Sequence, residues 1–279
     1  MTLSVPSPVL RHPGAKWRIA EWICGHLPEH DVYVEPFFGS GAVFFHKEPA
    51  RVEIINDLDS NVITAFRVIR EQSAALAQLL ALSPWSEGEY RAAFRALQQD
   101  DLTDLERTRC LIVCTWQQMG RKPVSQRSSW RFREVMGQSP ITSWHKLPDR
   151  VQVAVERLAH AQISEMPALK LLDQVNGPEV LIYADPPYLR ELRSGTRMYD
   201  HEMQGREQHA ELLDALRAHP GPVVLSAYAN AWYSEQLPGW QKVATSARTQ
   251  TNAQRAETLW INPVAWSRIR HASPLLVRV

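Results

Sequence analysis

The tetrapeptide Asp185-Pro186-Pro187-Tyr188 is the part of this chain best equipped to do chemistry. Two consecutive prolines stiffen a turn and fix the directions of the Asp carboxylate and the adjoining carbonyl. Tyr188 offers a ring face to a flat heterocycle. A carboxylate and a carbonyl held side by side accept hydrogen bonds from an exocyclic amine. The amino nitrogen of adenine is a poor nucleophile because its lone pair is delocalised into the ring. A catalyst must therefore accept its N–H groups and bring that lone pair into line with a methyl donor. Asp185 Oδ and the Pro186 carbonyl can do this by position and electrostatics. At roughly 5% usage per residue, a specified tetrapeptide arises by chance in a chain of this length on the order of once or twice in a thousand. Its place at the end of the apolar run Val180 to Ala184 lowers those odds further.

A second group of residues reads as a place for the donor. The segment Glu35-Pro-Phe-Phe-Gly-Ser-Gly41 follows the apolar run Val32 to Phe37 and precedes a helix pattern at Ala42 to Lys47. Missing side chains at Gly39 and Gly41 let a nucleotide-like ligand approach the backbone and a helix N-terminus, although such turns often serve packing alone. Asp57 follows the next apolar run, Val52 to Asn56, where an acid can accept hydrogen bonds from both hydroxyls of a ribose; taken alone it reads as a surface or helix-capping residue. The third glycine of a dinucleotide fingerprint is missing, and Phe37 and Phe38 crowd the turn. Bulk there suits a ligand without a pyrophosphate, such as S-adenosylmethionine.

The elements that must position these residues form an α/β pattern. Strand-to-helix units at Val32 to Lys47 and Val52 to Arg70 predict a parallel sheet, and strand character returns at Val180 to Ala184, Val223 to Ala227 and Thr258 to Ile261, with a helix from Arg206 to Ala218. Between about Glu71 and Ile163 the spacing is helical instead, in Ala74 to Leu82, Tyr90 to Leu97, Leu105 to Trp116 and Val151 to His160. The expectation is a core split by a helical insertion: residues 1–70 and 163–279 around 71–162. Among the 279 residues, 31 Lys and Arg oppose 30 Asp and Glu, so the net charge of +1 gives no general argument for nucleic-acid binding. Residues 115–150 nonetheless carry +5, from Arg121, Lys122, Arg127, Arg131, Arg133, Lys146 and Arg150 against Glu134 and Asp149. Trp116, Trp130 and Trp144 lie among them, giving cations for phosphates and planar rings for bases. A solvated loop with core tryptophans is the alternative. The three cysteines, Cys24, Cys110 and Cys114, lack zinc-site pairing and suit a reducing cytoplasm, with Cys110 and Cys114 expected as core residues on one helix face. No signal peptide or membrane span is expected.

With these motifs in place, the chain resembles the Dam-like, D12-class DNA adenine-N6 methyltransferases, phage-borne members in particular, over nearly its whole length. Arg11-His-Pro-Gly-Ala-Lys16 resembles the N-terminal motif whose lysine and a residue four before it contact S-adenosylmethionine, which implies that role for His12 and Lys16. Glu35 to Gly41, Asn56-Asp57-Leu-Asp59 and Asp185 to Tyr188 resemble the cofactor glycine motif, the ribose acid and the catalytic tetrapeptide. Arg193, Tyr199 to Met203, His209, Leu225 to Tyr228, Leu237 to Trp240 and Glu257 to Trp260 resemble the remaining blocks.

The resemblance implies a Rossmann-like, S-adenosylmethionine-dependent core with a helical DNA-recognition insertion. It implies a catalytic set of Asp185, Pro186, Pro187 and Tyr188, and a cofactor set of His12, Lys16, Phe37, Gly39, Gly41, Asp57 and Asp185. Arg121, Lys122, Arg127, Trp130, Arg131, Arg133, Arg193 and Tyr199 are the candidates for contacting double-stranded DNA. Near Glu165-Met-Pro167-Ala168, where relatives often present a polar group to the cofactor's adenine, Glu165 is the candidate. His201, Glu202 and His209 follow the tetrapeptide as the family's loop does, and methyl transfer from a sulfonium needs no metal. The expected reaction flips adenine out of duplex DNA and methylates N6, in a cytoplasmic protein expected as a monomer, or transiently a dimer, with restriction-modification as one context. An RNA adenine, a protein amide and a catalytically inactive DNA-binding relative are the alternatives.

Overall fold

In the computed structural model of the chain, residues 7–120, 126, 128–131, 140–189, 203, 205–245 and 257–272 are described. The first part runs α1 (Ala20–Cys24), β1 (Val32–Glu35), α2 (Ala42–His46), β2 (Val52–Asn56), α3 (Ser60–Glu71), α4 (Ser73–Leu82), α5 (Glu87–Ala96), α6 (Asp104–Gln117), α7 (Pro140–His145) and α8 (Leu147–Leu158). The second part runs β3 (Ala161–Ser164), α9 (Ala168–Gln174), β4 (Val180–Ala184), α10 (Arg206–Ala218), β5 (Val223–Tyr228), α11 (Ala231–Gln236), β6 (Gln241–Thr245), β7 (Glu257–Ile261) and α12 (Pro263–Ala272).

The strands form one sheet in the order β3-β2-β1-β4-β5-β7-β6. From β3 to β5 every pairing is parallel, and β7 runs antiparallel between β5 and β6. This is the expected Rossmann-like α/β core. Strand order reverses between β1 and β4, which opens a crevice at their carboxyl ends. Successive residues of each central strand enter opposite cores. Tyr33, Ile55, Leu181 and Val224 face one, whereas Val34, Ile54, Ile182 and Val223 face the other. Burial on both faces explains why these strands read as unbroken apolar runs.

The helical stretch differs from the expected insertion in two respects. First, β3 begins at Ala161 and pairs with β2, so the sheet resumes before residue 163. Second, Leu76, Tyr90, Cys110, Ile112, Trp116, Trp144 and Val151 belong to the same core cluster as Tyr33, Phe44 and Ile55. The helices thus continue one layer of the α/β sandwich, because their apolar faces have the sheet layer to pack on. Trp116 and Trp144 are each 2% exposed, and their indole N–H groups donate to Val9 O and Ser83 O at 2.8 and 2.9 Å. They are core residues and offer no ring to a base. Cys110 and Cys114 are buried thiols, as expected.

A buried ion network ties this layer to the sheet. Glu53 on β2 accepts from Lys47 Nζ at 2.6 Å and from Arg157 Nη2 of α8 at 2.7 Å. Burial alone would raise the Glu53 carboxyl, but its hydrogen bonds from Arg157 and Lys47 outweigh that and hold it below the usual range. Glu53→Ala leaves two buried cations without their acid and is expected to cost about 3–5 kcal/mol of stability, measured as a lower denaturation midpoint at unchanged m-value. A loss below about 1 kcal/mol would contradict the role given to this network.

Candidate active site

Three strand ends build the site. After β1, the backbone turns through Gly39 (φ 51°) and Gly41 (φ 69°), left-handed conformations that disfavour a Cβ. A Cβ on Gly39 would stand 3.1 Å from His12 Nδ1, so the missing side chain lets the N-terminal strap lie close to the turn. One on Gly41 would come 2.5 Å from Phe38 Cζ, which makes that glycine a packing requirement of the turn. After β2, Asp57 accepts from Gly39 N at 2.8 Å and from Asp59 N at 3.0 Å, one bond to each carboxylate oxygen. Asp59 in turn caps α3 by accepting from Asn61 N at 2.9 Å. Asn56, fully buried, donates to Pro36 O and Met166 O and accepts from Met166 N, each at 3.0 Å. One side chain therefore pins the loops after β1, β2 and β3 to each other.

These loops enclose a cavity of about 340 Å3 at the carboxyl end of the sheet, within the roughly 300–1,000 Å3 of small-molecule sites. His12, Lys16, Phe37, Gly39, Asp57 and Asp185 all line it, together with Glu35, Met166, Tyr183 and Met203. The residues suit an adenosyl ligand carrying a polar, charged tail. Asp57 keeps a free lone-pair direction on each oxygen for a ribose diol, Phe37 and Met166 give apolar walls, and the Gly39 turn is open where a side chain would fill it. Burial raises the Asp57 carboxyl above its ordinary range.

Asp185, which also lines the cavity, follows β4. Its Oδ1 lies 2.9 Å from Lys16 Nζ, and the same ammonium is 3.7 Å from Glu257 Oε1 and donates to Gly14 O at 3.0 Å. Burial pushes the Asp185 carboxyl up to about 6, with Lys16 opposing the rise and Glu257 adding to it. Burial also drives Glu35 to about 8, partly offset by the Tyr33 hydroxyl that donates to its Oε2 at 2.8 Å. Both carboxyls are thus held less acidic than free ones, Glu35 the more so. Tyr188 is buried: its hydroxyl donates to Glu257 Oε2 at 2.8 Å and lies 3.3 Å from Ser226 Oγ. Its ring meets Tyr228 edge-on at 4.4 Å, with Lys16 Nζ 4.7 Å from the ring centre.

A family model for D12 class N6 adenine-specific DNA methyltransferases matches residues 12–246. The chain belongs to this family. A Type II methyltransferase of Lactococcus lactis, M1.LlaDCHI, is 23% identical over 265 residues, covering 90% of this chain and 91% of the relative. The DNA adenine methylase of Escherichia coli K12 is 30% identical over 69 residues, 25% of this chain, and the match spans only 24% of that relative. Among solved structures, an rRNA methylase from Streptococcus thermophilus aligns over 90% of this chain and 98% of its own, at 7% identity and a TM-score of 0.38.

Within the family frame, the cofactor residues inferred from sequence converge on one cavity, except Gly41, which serves the turn instead. Of the catalytic tetrapeptide, Asp185 and Pro187 line the cavity, whereas Pro186 does not and Tyr188 is held behind it by Glu257. Glu165 does not line it, and Met166 and Ala168 do. Trp130 is half-buried, its indole donating to Gln117 Oε1 at 3.3 Å, and Arg131 N donates to Gln117 O at 2.7 Å. With the Gln118–Trp130 bridge, these bonds close the base of the basic stretch at the end of α6. Arg121, Lys122, Arg127, Arg133, Arg193, Tyr199, His201 and Glu202 lie outside the described residues. His209 is buried, with its Nδ1 2.8 Å from the Tyr233 hydroxyl. No group of side chains suited to a metal ion occurs among the described residues, and no helix there is long and apolar enough to cross a membrane. Sequence reasoning gave no role to Glu35, Tyr183 or Glu257. A carboxylate at the end of β1 and another at the start of β7 were the available signals.

If burial and Lys16 set the Asp185 equilibrium as described, its side-chain carboxyl carbon titrates in NMR with a midpoint of about 6. Lys16→Met, which removes the cation favouring the ionised form, moves that midpoint upward; an unmoved midpoint would contradict the pairing.

Proposed function

We propose that this protein transfers a methyl group from S-adenosylmethionine to N6 of an adenine flipped out of double-stranded DNA. The observation that carries the reading is the position of Asp185, at the end of β4 beside the strand-order reversal, lining the same cavity as Asp57 and the Gly39 turn. Membership of the D12 class supports adenine in DNA as the acceptor.

When bound, S-adenosylmethionine supplies the methyl group as an electrophile on a sulfonium, and its transfer leaves S-adenosylhomocysteine. Asp57 would receive the ribose hydroxyls, Phe37 and Met166 would flank the adenosyl part, and His12 and Lys16 would close the cavity from the N-terminal strap. Asp185 Oδ and the Pro186 carbonyl accept the N6 hydrogens and turn the nitrogen lone pair out of conjugation. This is catalysis by positioning and preorganised charge. The proton lost from nitrogen leaves to solvent, with Asp185 acting by position and charge rather than as a dedicated strong base. A paired adenine hides N6 inside the stack, so it must be flipped at a cost on the order of a few kcal/mol. Tyr188 then stacks on it once its ring is freed. Arg121, Lys122, Arg127, Trp130, Arg131 and Arg133 hold the duplex, with Arg193 and Tyr199 on the flipped strand or its phosphates.

The test is Asp185→Ala. Transfer of labelled methyl to DNA is expected to vanish while duplex affinity stays within a few-fold. Near-normal turnover by the variant would sink the proposed role.

A further inference from the structure

Lys16 sits where the acceptor amine is required to be. Its ammonium bridges Asp185 Oδ1, at 2.9 Å, and the ring of Tyr188, 4.7 Å from the centre. Under the function proposed above, on which this inference rests, these are the two surfaces offered to the adenine: the carboxylate to its amine and the ring to its face. An ammonium lying against both surfaces occupies the space that the base's amine and ring would enter, so it must move aside before the base can seat. Lys16 is buried to 6% exposure, and a buried cation does not move away from one carboxylate without another to receive it.

Glu257 is that receiver. It is the first residue of β7 and pairs in register with Tyr228, the last residue of β5. Because β7 is antiparallel, its first residue is delivered to the carboxyl edge of the parallel strands, beside Asp185. Glu257 Oε1 already lies 3.7 Å from Lys16 Nζ, while Oε2 holds the Tyr188 hydroxyl at 2.8 Å. We infer that Glu257 is a positioning residue that takes Lys16 from Asp185 when the target base enters, and that the same carboxylate sets the orientation of Tyr188. In the resting protein Lys16 keeps the acceptor site filled; in the active arrangement the Lys16–Glu257 pair leaves Asp185 free for the amine.

Glu257→Gln preserves shape and an acceptor for Tyr188 but removes the charge that receives Lys16. The expected result is a kcat lowered roughly tenfold or more with KM for S-adenosylmethionine little changed, the signature of an interaction made only in the active arrangement. Among the described residues, the charged and titratable groups facing Asp185 are Lys16 from the strap, Glu257 from β7, Glu35 from β1, Tyr183 from β4 and Tyr188 from its own turn. Removing the Glu257 charge alone lowers the Asp185 equilibrium, so the acid limb of the pH–rate profile moves to lower pH. A variant that loses only stability, with kcat per folded molecule and acid limb unchanged, overturns the inference.

A second measurement does not depend on the variant folding. In a crystal structure of the wild-type protein with S-adenosylhomocysteine and a DNA duplex, Lys16 Nζ is expected within hydrogen-bond distance of Glu257 and away from Asp185. Lys16 still on Asp185, or withdrawn from both carboxylates onto the cofactor, overturns it. Wild-type protein that transfers no methyl group to DNA overturns the functional reading and this inference with it. Transfer by wild type with an unmoved acid limb in Glu257→Gln overturns the inference alone.

Discussion

A buried ammonium must be met by carboxylates, and Lys16 is met by two that come from distant parts of the chain. Asp185 arrives on the turn after β4, Glu257 on the first residue of β7, and the lysine itself on the strap before α1. This convergence fixes Lys16 and Asp185 in the wall of the cavity that Asp57 also lines. It also explains why the strap lies where it does, with His12 against a glycine that leaves it room. The same charges tune each other: the lysine restrains the rise that burial imposes on Asp185, and Glu257 works against it.

The sheet makes this convergence possible. Parallel strands β1, β2 and β4 direct their carboxyl ends, and so Glu35, Asp57 and Asp185, into one crevice. Asn56 then locks the loops after β1, β2 and β3 into a single rim through three hydrogen bonds. The antiparallel β7 reverses the logic and presents its first residue at that rim. Behind it, the Glu53 ion network anchors α8 and the helical layer to β2, so the base of the basic stretch after α6 is set by the same core that shapes the cavity.

Much of this was legible in the residues. The central strands were readable because burial on both faces demands unbroken apolar runs, as in Val180 to Ala184. The edge strands were not: Ala161-Gln-Ile-Ser and Gln241-Lys-Val-Ala-Thr are short and half polar, since an edge strand has less to bury. That is why β3 fell partly inside a stretch read as insertion. The tryptophans misled for a related reason. Composition shows a ring near cations, but only packing shows that Trp116 and Trp144 are buried and that Arg11 and Arg150 lie over Trp116 from within the fold. Asp57 and Asp185 stand out in the sequence because each follows a strand, whereas Glu257 begins one and meets Lys16 only through the antiparallel return of β7.

The most direct measurement is a nucleoside analysis of unmethylated duplex DNA incubated with the purified protein and S-adenosylmethionine carrying an isotopic methyl group. The account predicts the label in N6-methyldeoxyadenosine alone, clustered at a sequence that single-molecule sequencing then reads out. Label on cytosine, or label absent from DNA while RNA or protein takes it up, would contradict it.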